Sequence, residues 1–220
     1  MSTSLRTAIP VLGIAGLVAI VDTAILPVLL ASAYRGATPA YVCAFDFGIV
    51  AIAGLAGAFF AARAGLPRWW RPGDGSTGSR RETAAVLILG LLVVLGNTLV
   101  LLASRDQLAR VAPWLLQLTP TSAVLVAARA ALTENVVFRL LLFSLAVWVA
   151  RRARLGTRAG LFAGAAVSAL AFALIHPGGG VALLAGLALA YVFARRGLLV
   201  AMGVQFLGDA VPFLILAARP

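Results

Sequence analysis

The sequence contains no lysine, a single cysteine and few charged residues, although it is 220 residues long. Charged residues make up 11% of the chain, whereas a soluble domain carries about 25%. The single cysteine, Cys43, excludes a disulfide within the chain. Hydrophobic residues make up 62%, and the mean hydropathy is +1.05. This balance excludes a soluble, secreted, disordered or coiled-coil protein and indicates a polytopic membrane protein.

The charge that is present has one dominant sign, because 18 basic residues, all arginine, outnumber seven acidic residues and give a net charge of +11. In a soluble protein this charge would indicate nucleic-acid binding. Here the arginines lie mostly between apolar runs, where arginine anchors helices at anionic lipid headgroups and sets their orientation. We therefore predict no nucleic-acid partner.

Apolar runs bounded by Arg, Gly and Pro predict an all-α transmembrane bundle of about seven helices. The runs lack the alternation of a membrane β-barrel, and a helix satisfies its own backbone polar groups in lipid. The predicted spans are residues 8–33, 41–62, 84–104, 121–150, 159–176, 181–194 and 198–217. We predict one membrane domain over 1–220, with three N-terminal helices and loops in 1–120 and the motif-bearing core in 121–217.

The distribution of the arginines favours one orientation in the cell membrane. With a cytoplasmic N-terminus, twelve arginines fall on the cytoplasmic side and four on the other side, namely Arg35, Arg105, Arg110 and Arg219. Because cytoplasmic loops carry an excess of Lys and Arg, we predict a multi-pass cell-membrane protein whose N-terminus is cytoplasmic.

Ten polar residues fall inside the predicted spans, where a charge near the bilayer centre costs about 2.5 to 3.5 kcal/mol. They are Asp22, Asp46, Asn97, Arg129, Glu134, Asn135, Arg139, His176, Gln205 and Asp209. Taken singly, such residues are often structural: an Arg–Asp pair packs helices together, an Asn or Gln joins two helices, and a His caps a helix end. Their arrangement along the chain therefore carries more information than any one of them.

The first motif lies in the fourth predicted span and reads ENVVFR, from Glu134 to Arg139. On an α-helix, Asn135 and Arg139 lie one turn apart on the same face, whereas Glu134 and Arg139 point about 140° apart. Glu134 is therefore free to address a different neighbour from Arg139.

The second and third motifs lie in later spans. The run FALIH places Phe172 four residues before His176, the only histidine, and Pro177 with three glycines is expected to end that helix. In the last span, Gln205 and Asp209 are also four residues apart. This spacing predicts that an amide and a carboxylate share one helical face.

These motifs, in this order, resemble those of the CAAX prenyl protease and bacteriocin-processing family of intramembrane proteases, also called the Abi family. Its members look like EExxxR on one helix, FxxxH on the next and HxxxN or HxxxD on a later one. The resemblance covers roughly residues 121–217 and includes the run GLALAYVFARRGLLVAMGVQFLGDA at 186–210. Two positions depart, because Asn135 replaces the second glutamate and Gln205 replaces the third-motif histidine.

The resemblance implies an endopeptidase that hydrolyses a peptide bond inside the membrane. It implies that Glu134, assisted by His176, activates a water, and that Gln205 and Asp209 stabilise the oxyanion. Glutamine is not a base, but the Gln205 amide can still donate a hydrogen bond where histidine would. We predict no cofactor; the alternative is a divalent metal held by Glu134, His176 and Asp209.

The departures also predict a change in charge pairing. With Asn135 in place of a glutamate, Arg139 loses the charge partner on its own helix, and an unpaired guanidinium in the membrane is costly. We expect Asp209 to be the new partner, with Asp22 and Asp46 as competitors.

Two functions remain open at this point. The first is a Glu/His-dependent intramembrane endopeptidase whose partners are the lipid bilayer and a peptide or membrane-protein substrate. The second is a catalytically inactive relative that acts as a membrane binding, immunity or maturation factor. A small transporter is disfavoured because the spans show neither paired broken helices nor inverted halves.

Overall fold

The computed structural model describes residues 3–32, 34, 36–71, 77–176 and 179–218, which form a helical bundle without strands. The helices are α1 (Thr3–Ala24), α2 (Leu26–Ala31), α3 (Pro39–Arg63), α4 (Thr77–Ala103), α5 (Arg105–Val111), α6 (Pro120–Glu134), α7 (Ser144–Arg152), α8 (Thr157–Ile175), α9 (Gly179–Arg196) and α10 (Leu198–Ala217). A 3₁₀ turn (Pro113–Gln117) follows α5, and a π-helical segment (Asn135–Phe143) joins α6 to α7. The predicted all-α class is confirmed.

Among the described residues, six helices are long and apolar enough to cross a membrane. They are Pro39–Arg63, Ser79–Ala103, Pro120–Arg152, Thr157–Ile175, Gly179–Arg196 and Leu198–Ala217. Each agrees within a few residues with one of the last six predicted spans. The chain is therefore a multi-pass helical membrane protein.

The first predicted span, 8–33, is not one continuous helix. α1 ends at Ala24, α2 begins at Leu26, and the apolar part of α1 is the shorter helix Ala8–Ala24. Pro27 explains the break, because proline has no N–H to continue the hydrogen-bond ladder of α1 but is well accommodated in the first turn of a new helix.

Some residues used in the sequence argument lie outside the described part of the chain. Arg35 and Arg219, which were assigned to the non-cytoplasmic side, are two of them. Pro177 and Gly178 are two more, although α8 does end at Ile175 and α9 begins at Gly179. The cytoplasmic position of the N-terminus stays a prediction.

The helix that leads into the first motif has a strong start signal. Thr119 accepts a hydrogen bond from the backbone N–H of Ser122, whose side chain accepts one from Thr119 in return, and Pro120 occupies the first helical position. This capping box satisfies N–H groups that the first turn leaves unpaired. It fixes where α6 begins and therefore how far along the helix Glu134 lies.

Glycine lets neighbouring helices approach the π-helical segment closely. A Cβ atom added to Gly57 of α3 would lie 2.6 Å from the backbone carbon and oxygen of Leu140. A Cβ atom added to Gly164 of α8 would lie 2.6 Å from Val147 Cγ2 and 3.0 Å from the carbonyl oxygen of Phe143. Small residues at these crossings bring α3 and α8 against the helix that carries the first motif.

Replacing Gly57 with alanine is expected to destabilise the protein by about 1 to 3 kcal/mol, because the added methyl group meets backbone atoms that cannot rotate away. Thermal unfolding in detergent measures the effect. Gly48→Ala is the matched control on the same helix, since nothing lies within 4 Å of its added Cβ. Equal unfolding temperatures for the two variants would contradict the close contact.

Candidate active site

A cavity of about 230 Å³ lies among α4, α6, α8, α9 and α10, with α5 and the 3₁₀ turn contributing to its wall. Most of its wall is formed by aliphatic side chains, such as Val100. Four polar residues of the three motifs also line it, namely Glu134, His176, Gln205 and Asp209. The structure therefore brings polar groups from three separate helices to one largely apolar space.

Glu134 is contacted from two sides. The amide Nε2 of Gln205 donates a hydrogen bond to Oε2 at 2.5 Å, and Nε2 of His176 lies 3.6 Å from Oε1. The side chains of Glu134 and His176 are 20% and 30% exposed, respectively, so both are accessible from the cavity. A carboxylate held beside an imidazole in this way can take a proton from a bound water.

The position of His176 follows from the FxxxH spacing. His176 caps the C-terminus of α8, where its Nδ1 lies 2.8 Å from the carbonyl oxygen of Phe172. Because a carbonyl oxygen can only accept, Nδ1 carries the proton and Nε2 faces Glu134. The two rings also stack with 4.1 Å between centroids. Phe172 therefore fixes both the tautomer and the orientation of the imidazole.

The two residues that depart from the family motifs contact each other. Nδ2 of Asn135 donates hydrogen bonds to Oε1 of Gln205 at 2.8 Å and to the carbonyl oxygen of Ala131 at 2.9 Å. Asn135 is 0% exposed and Gln205 is 2% exposed. Asn135 does not line the cavity, so it touches the site through Gln205.

The fourth predicted span is helical throughout, but Asn135–Phe143 winds as a π-helix and not as the expected α-helix. The predicted angle of about 140° between Glu134 and Arg139 assumed α-helical winding and does not apply here. Short π-helical insertions occur frequently at functional sites. This one begins directly after Glu134, at the residue that contacts Gln205.

The predicted ion pair between Arg139 and Asp209 is wrong. The Arg139 guanidinium is completely buried and makes no hydrogen bond within the described residues. It lies over the ring of Phe172, with 4.3 Å between Cζ and the ring centroid, so a cation–π contact stands where the ion pair was expected. Oδ1 of Asp209 instead accepts a hydrogen bond from Nδ2 of Asn97 at 3.2 Å.

The two acids named as competing partners, Asp22 and Asp46, both pair with Arg129. Nε of Arg129 lies 2.7 Å from Oδ1 of Asp22, and its Nη2 donates to Oδ2 of Asp46. The Tyr34 hydroxyl also donates to Asp46. These contacts join α1, α3 and α6, and none of the residues lines the cavity. This cluster therefore packs the N-terminal helices against α6.

Comparison with known proteins identifies a likeness in the motif-bearing part of the chain. Residues 116–211 match the family model described as type II CAAX prenyl endopeptidase Rce1-like. Over these residues the chain is similar to the Rce1-like family. No curated protein and no solved structure matches the chain. The resemblance inferred from the motifs is therefore confirmed, and the Rce1-like segment contains every motif residue from Glu134 to Asp209.

One of the polar cavity residues outside the Rce1-like segment contacts a motif side chain. Asn97 of α4 lines the cavity and donates hydrogen bonds to Oδ1 of Asp209 and to the carbonyl oxygen of Gly208, both at 3.2 Å. Asn97 is one of the polar residues within the predicted spans, but no motif includes it. The signal was present, but the contact joins residues 112 positions apart, so spacing along the chain does not reveal it.

Proposed function

We propose that this protein is an intramembrane endopeptidase that hydrolyses a peptide bond with a water activated by Glu134 and His176. The observation that carries the proposal is the placement of one carboxylate between an imidazole and an amide at the wall of a cavity. The similarity of residues 116–211 to the Rce1-like family supports the reaction class. Peptides and membrane proteins are the proposed substrates, and the N-terminus is proposed to be cytoplasmic.

In the proposed reaction, Glu134 is the general base. A water binds to both Oε1 of Glu134 and Nε2 of His176. Oε1 takes a proton from this water, while the water oxygen bonds to the scissile carbonyl carbon. The tetrahedral intermediate then breaks its C–N bond, and Glu134 delivers the proton to the leaving nitrogen. His176 orients the water through Nε2 because its Nδ1 proton is held by Phe172.

The developing oxyanion requires a hydrogen-bond donor. The Gln205 amide carries two hydrogens and directs one of them at Glu134. The same side chain also contacts Asp209, and we assign its second hydrogen to the oxyanion. An ionised Asp209 can only accept hydrogen bonds, so we assign it the role of holding the Asn97 amide, whose two hydrogens go to Asp209 and to the carbonyl oxygen of Gly208.

Cleavage of membrane-anchored peptides by the purified protein in liposomes tests the proposal. Wild-type protein is expected to cleave a substrate, and His176→Ala is expected to lose that activity while keeping its thermal unfolding temperature. Ser168→Ala is the matched control on the same helix, because Ser168 is buried but does not line the cavity. Equal cleavage by wild type and His176→Ala would overturn the proposal.

The second candidate is an inactive relative that binds a membrane or peptide partner. It is favoured by Gln205, because a glutamine cannot supply the titratable group that the histidine of the third motif would. This candidate requires that wild type and His176→Ala both bind a peptide in the liposome assay and that neither cleaves it.

We propose that the reaction uses no metal, and expect EDTA or phenanthroline to leave the cleavage rate unchanged. The described residues contain no convergent group of three His, Cys, Asp or Glu side chains. The two Glu134 oxygens face Gln205 and His176, and Asp209 faces Asn97, which differs from the compact ligand set of a catalytic zinc site. Loss of activity with chelator, restored by added zinc, would contradict this assignment.

A further inference from the structure

The hydrogen bonds that lead to Glu134 have a fixed direction. The carbonyl oxygen of Ala131 can only accept, so the NH₂ end of the Asn135 amide must point toward it. The same NH₂ group donates to Oε1 of Gln205. Gln205 must therefore present its own NH₂ end, and not its oxygen, to Oε2 of Glu134. The direction is set by a backbone atom that cannot reverse.

At Asn135, where the winding changes from α-helix to π-helix, the Ala131 carbonyl is bonded by a side chain. The backbone N–H of Asn135, which would bond to Ala131 in a regular α-helix, bonds to the carbonyl oxygen of Leu132. The side chain of Asn135 bonds to Ala131 instead. The distortion and the side-chain contact thus occur at the same residue.

We propose that Asn135 is a positioning residue that acts through Gln205 to hold the Glu134 carboxylate in its reactive orientation. The proposal rests on the proposed function. Without the Asn135 donor, Oε1 of Gln205 loses its hydrogen bond, and the amide is no longer anchored on the side away from Glu134, so the amide and the carboxylate can shift together. The carboxylate would then turn away from His176, and a small displacement of a catalytic group has a large effect on turnover.

The burial of Asn135 supports a specific role. Asn135 is 0% exposed, and its Oδ1 has no hydrogen-bond partner within the described residues. An unsatisfied buried acceptor is unfavourable, and a leucine of similar size would avoid it. The amide group is useful at this position only through its Nδ2 donor, which is the atom that contacts Gln205.

Kinetics of four proteins test the proposal: wild type, Asn135→Leu, Gln205→Leu and the double variant. Asn135→Leu is expected to lower kcat about 10- to 100-fold with little change in KM. The double variant is expected to be no slower than Gln205→Leu, because within the described residues Gln205 is the one cavity side chain to which the Asn135 side chain is hydrogen-bonded. Asn135→Asp, which keeps the shape but lacks the donor, is expected to match Asn135→Leu. Ser144→Ala is the control, since Ser144 is buried on the continuation of the same helix and does not line the cavity.

Infrared spectra give a readout that does not depend on cleavage. The carboxylate stretch of Glu134, identified by its loss in Glu134→Gln, is expected to shift in Asn135→Leu and to be identical in Gln205→Leu and the double variant. If the band shifts in this way but the wild-type protein cleaves no peptide, the proposed function is refuted and the positioning role of Asn135 remains. An unshifted band in Asn135→Leu, or losses in kcat that multiply in the double variant, would overturn the positioning role.

Discussion

Replacing Glu134 with glutamine is expected to lower kcat for peptide cleavage by about 10²- to 10⁴-fold, the range that general acid–base catalysis contributes. Glutamine has nearly the same shape and can still accept the hydrogen bond from Gln205 through its carbonyl oxygen. It cannot take a proton from water, so the chemical step is lost while the helices keep their packing. The KM is expected to change little.

Steady-state kinetics in liposomes measure this effect, with thermal unfolding as the check on folding. Glu134→Asp is expected to fall between wild type and Glu134→Gln, because it keeps the carboxylate but withdraws it by one methylene from His176. Ser168→Ala again serves as the buried control outside the cavity. A Glu134→Gln protein with wild-type kcat would show that Glu134 is not the base.

Replacing Arg129 with leucine is expected to destabilise the protein by about 3 to 5 kcal/mol, because it leaves two buried carboxylates without their cation. Asp22 is 0% exposed and Asp46 is 5% exposed, and Oδ2 of Asp22 has no partner within the described residues even with Arg129 present. The same change separates α1 and α3 from α6, since Arg129 contacts an acid on each.

Thermal and denaturant unfolding in detergent measure this loss. Arg158→Leu is the control, because Arg158 is exposed near the start of α8. Replacing Asp22 and Asp46 with asparagine in the Arg129→Leu background is expected to recover much of the stability, since no unpaired charge then remains. An Arg129→Leu protein as stable as Arg158→Leu would contradict the structural role of the cluster.

The membrane spans could be predicted from the sequence because long apolar runs favour helices in lipid regardless of what they pack against. The break between α1 and α2 was missed, although Pro27 was visible, because the run continues through it without a polar residue. The π-helical segment could not be predicted from local sequence. It contacts Gly57 of α3, which lies about 80 residues earlier, so its packing depends on tertiary structure.

The candidate site, too, could be predicted from the sequence only in part. Spacing within single helices placed Phe172 next to His176, and the structure brings Glu134, His176 and Gln205 together. The predicted partner of Arg139 was wrong because only acidic residues were considered as partners. An aromatic ring can also hold a guanidinium, and Phe172 on the neighbouring helix does so. The contact between Asn135 and Gln205, the two positions that depart from the motifs, joins residues 70 positions apart, so spacing within one helix does not reveal it.

The central claim is that Glu134 and His176 act on the same water, and combining their substitutions tests it most directly. If they act as a unit, the kcat of a protein carrying both Glu134→Gln and His176→Asn will be no lower than that of Glu134→Gln alone. If the two losses multiply, or if either single variant cleaves peptide at the wild-type rate, the two residues do not share one reaction step and the account is wrong.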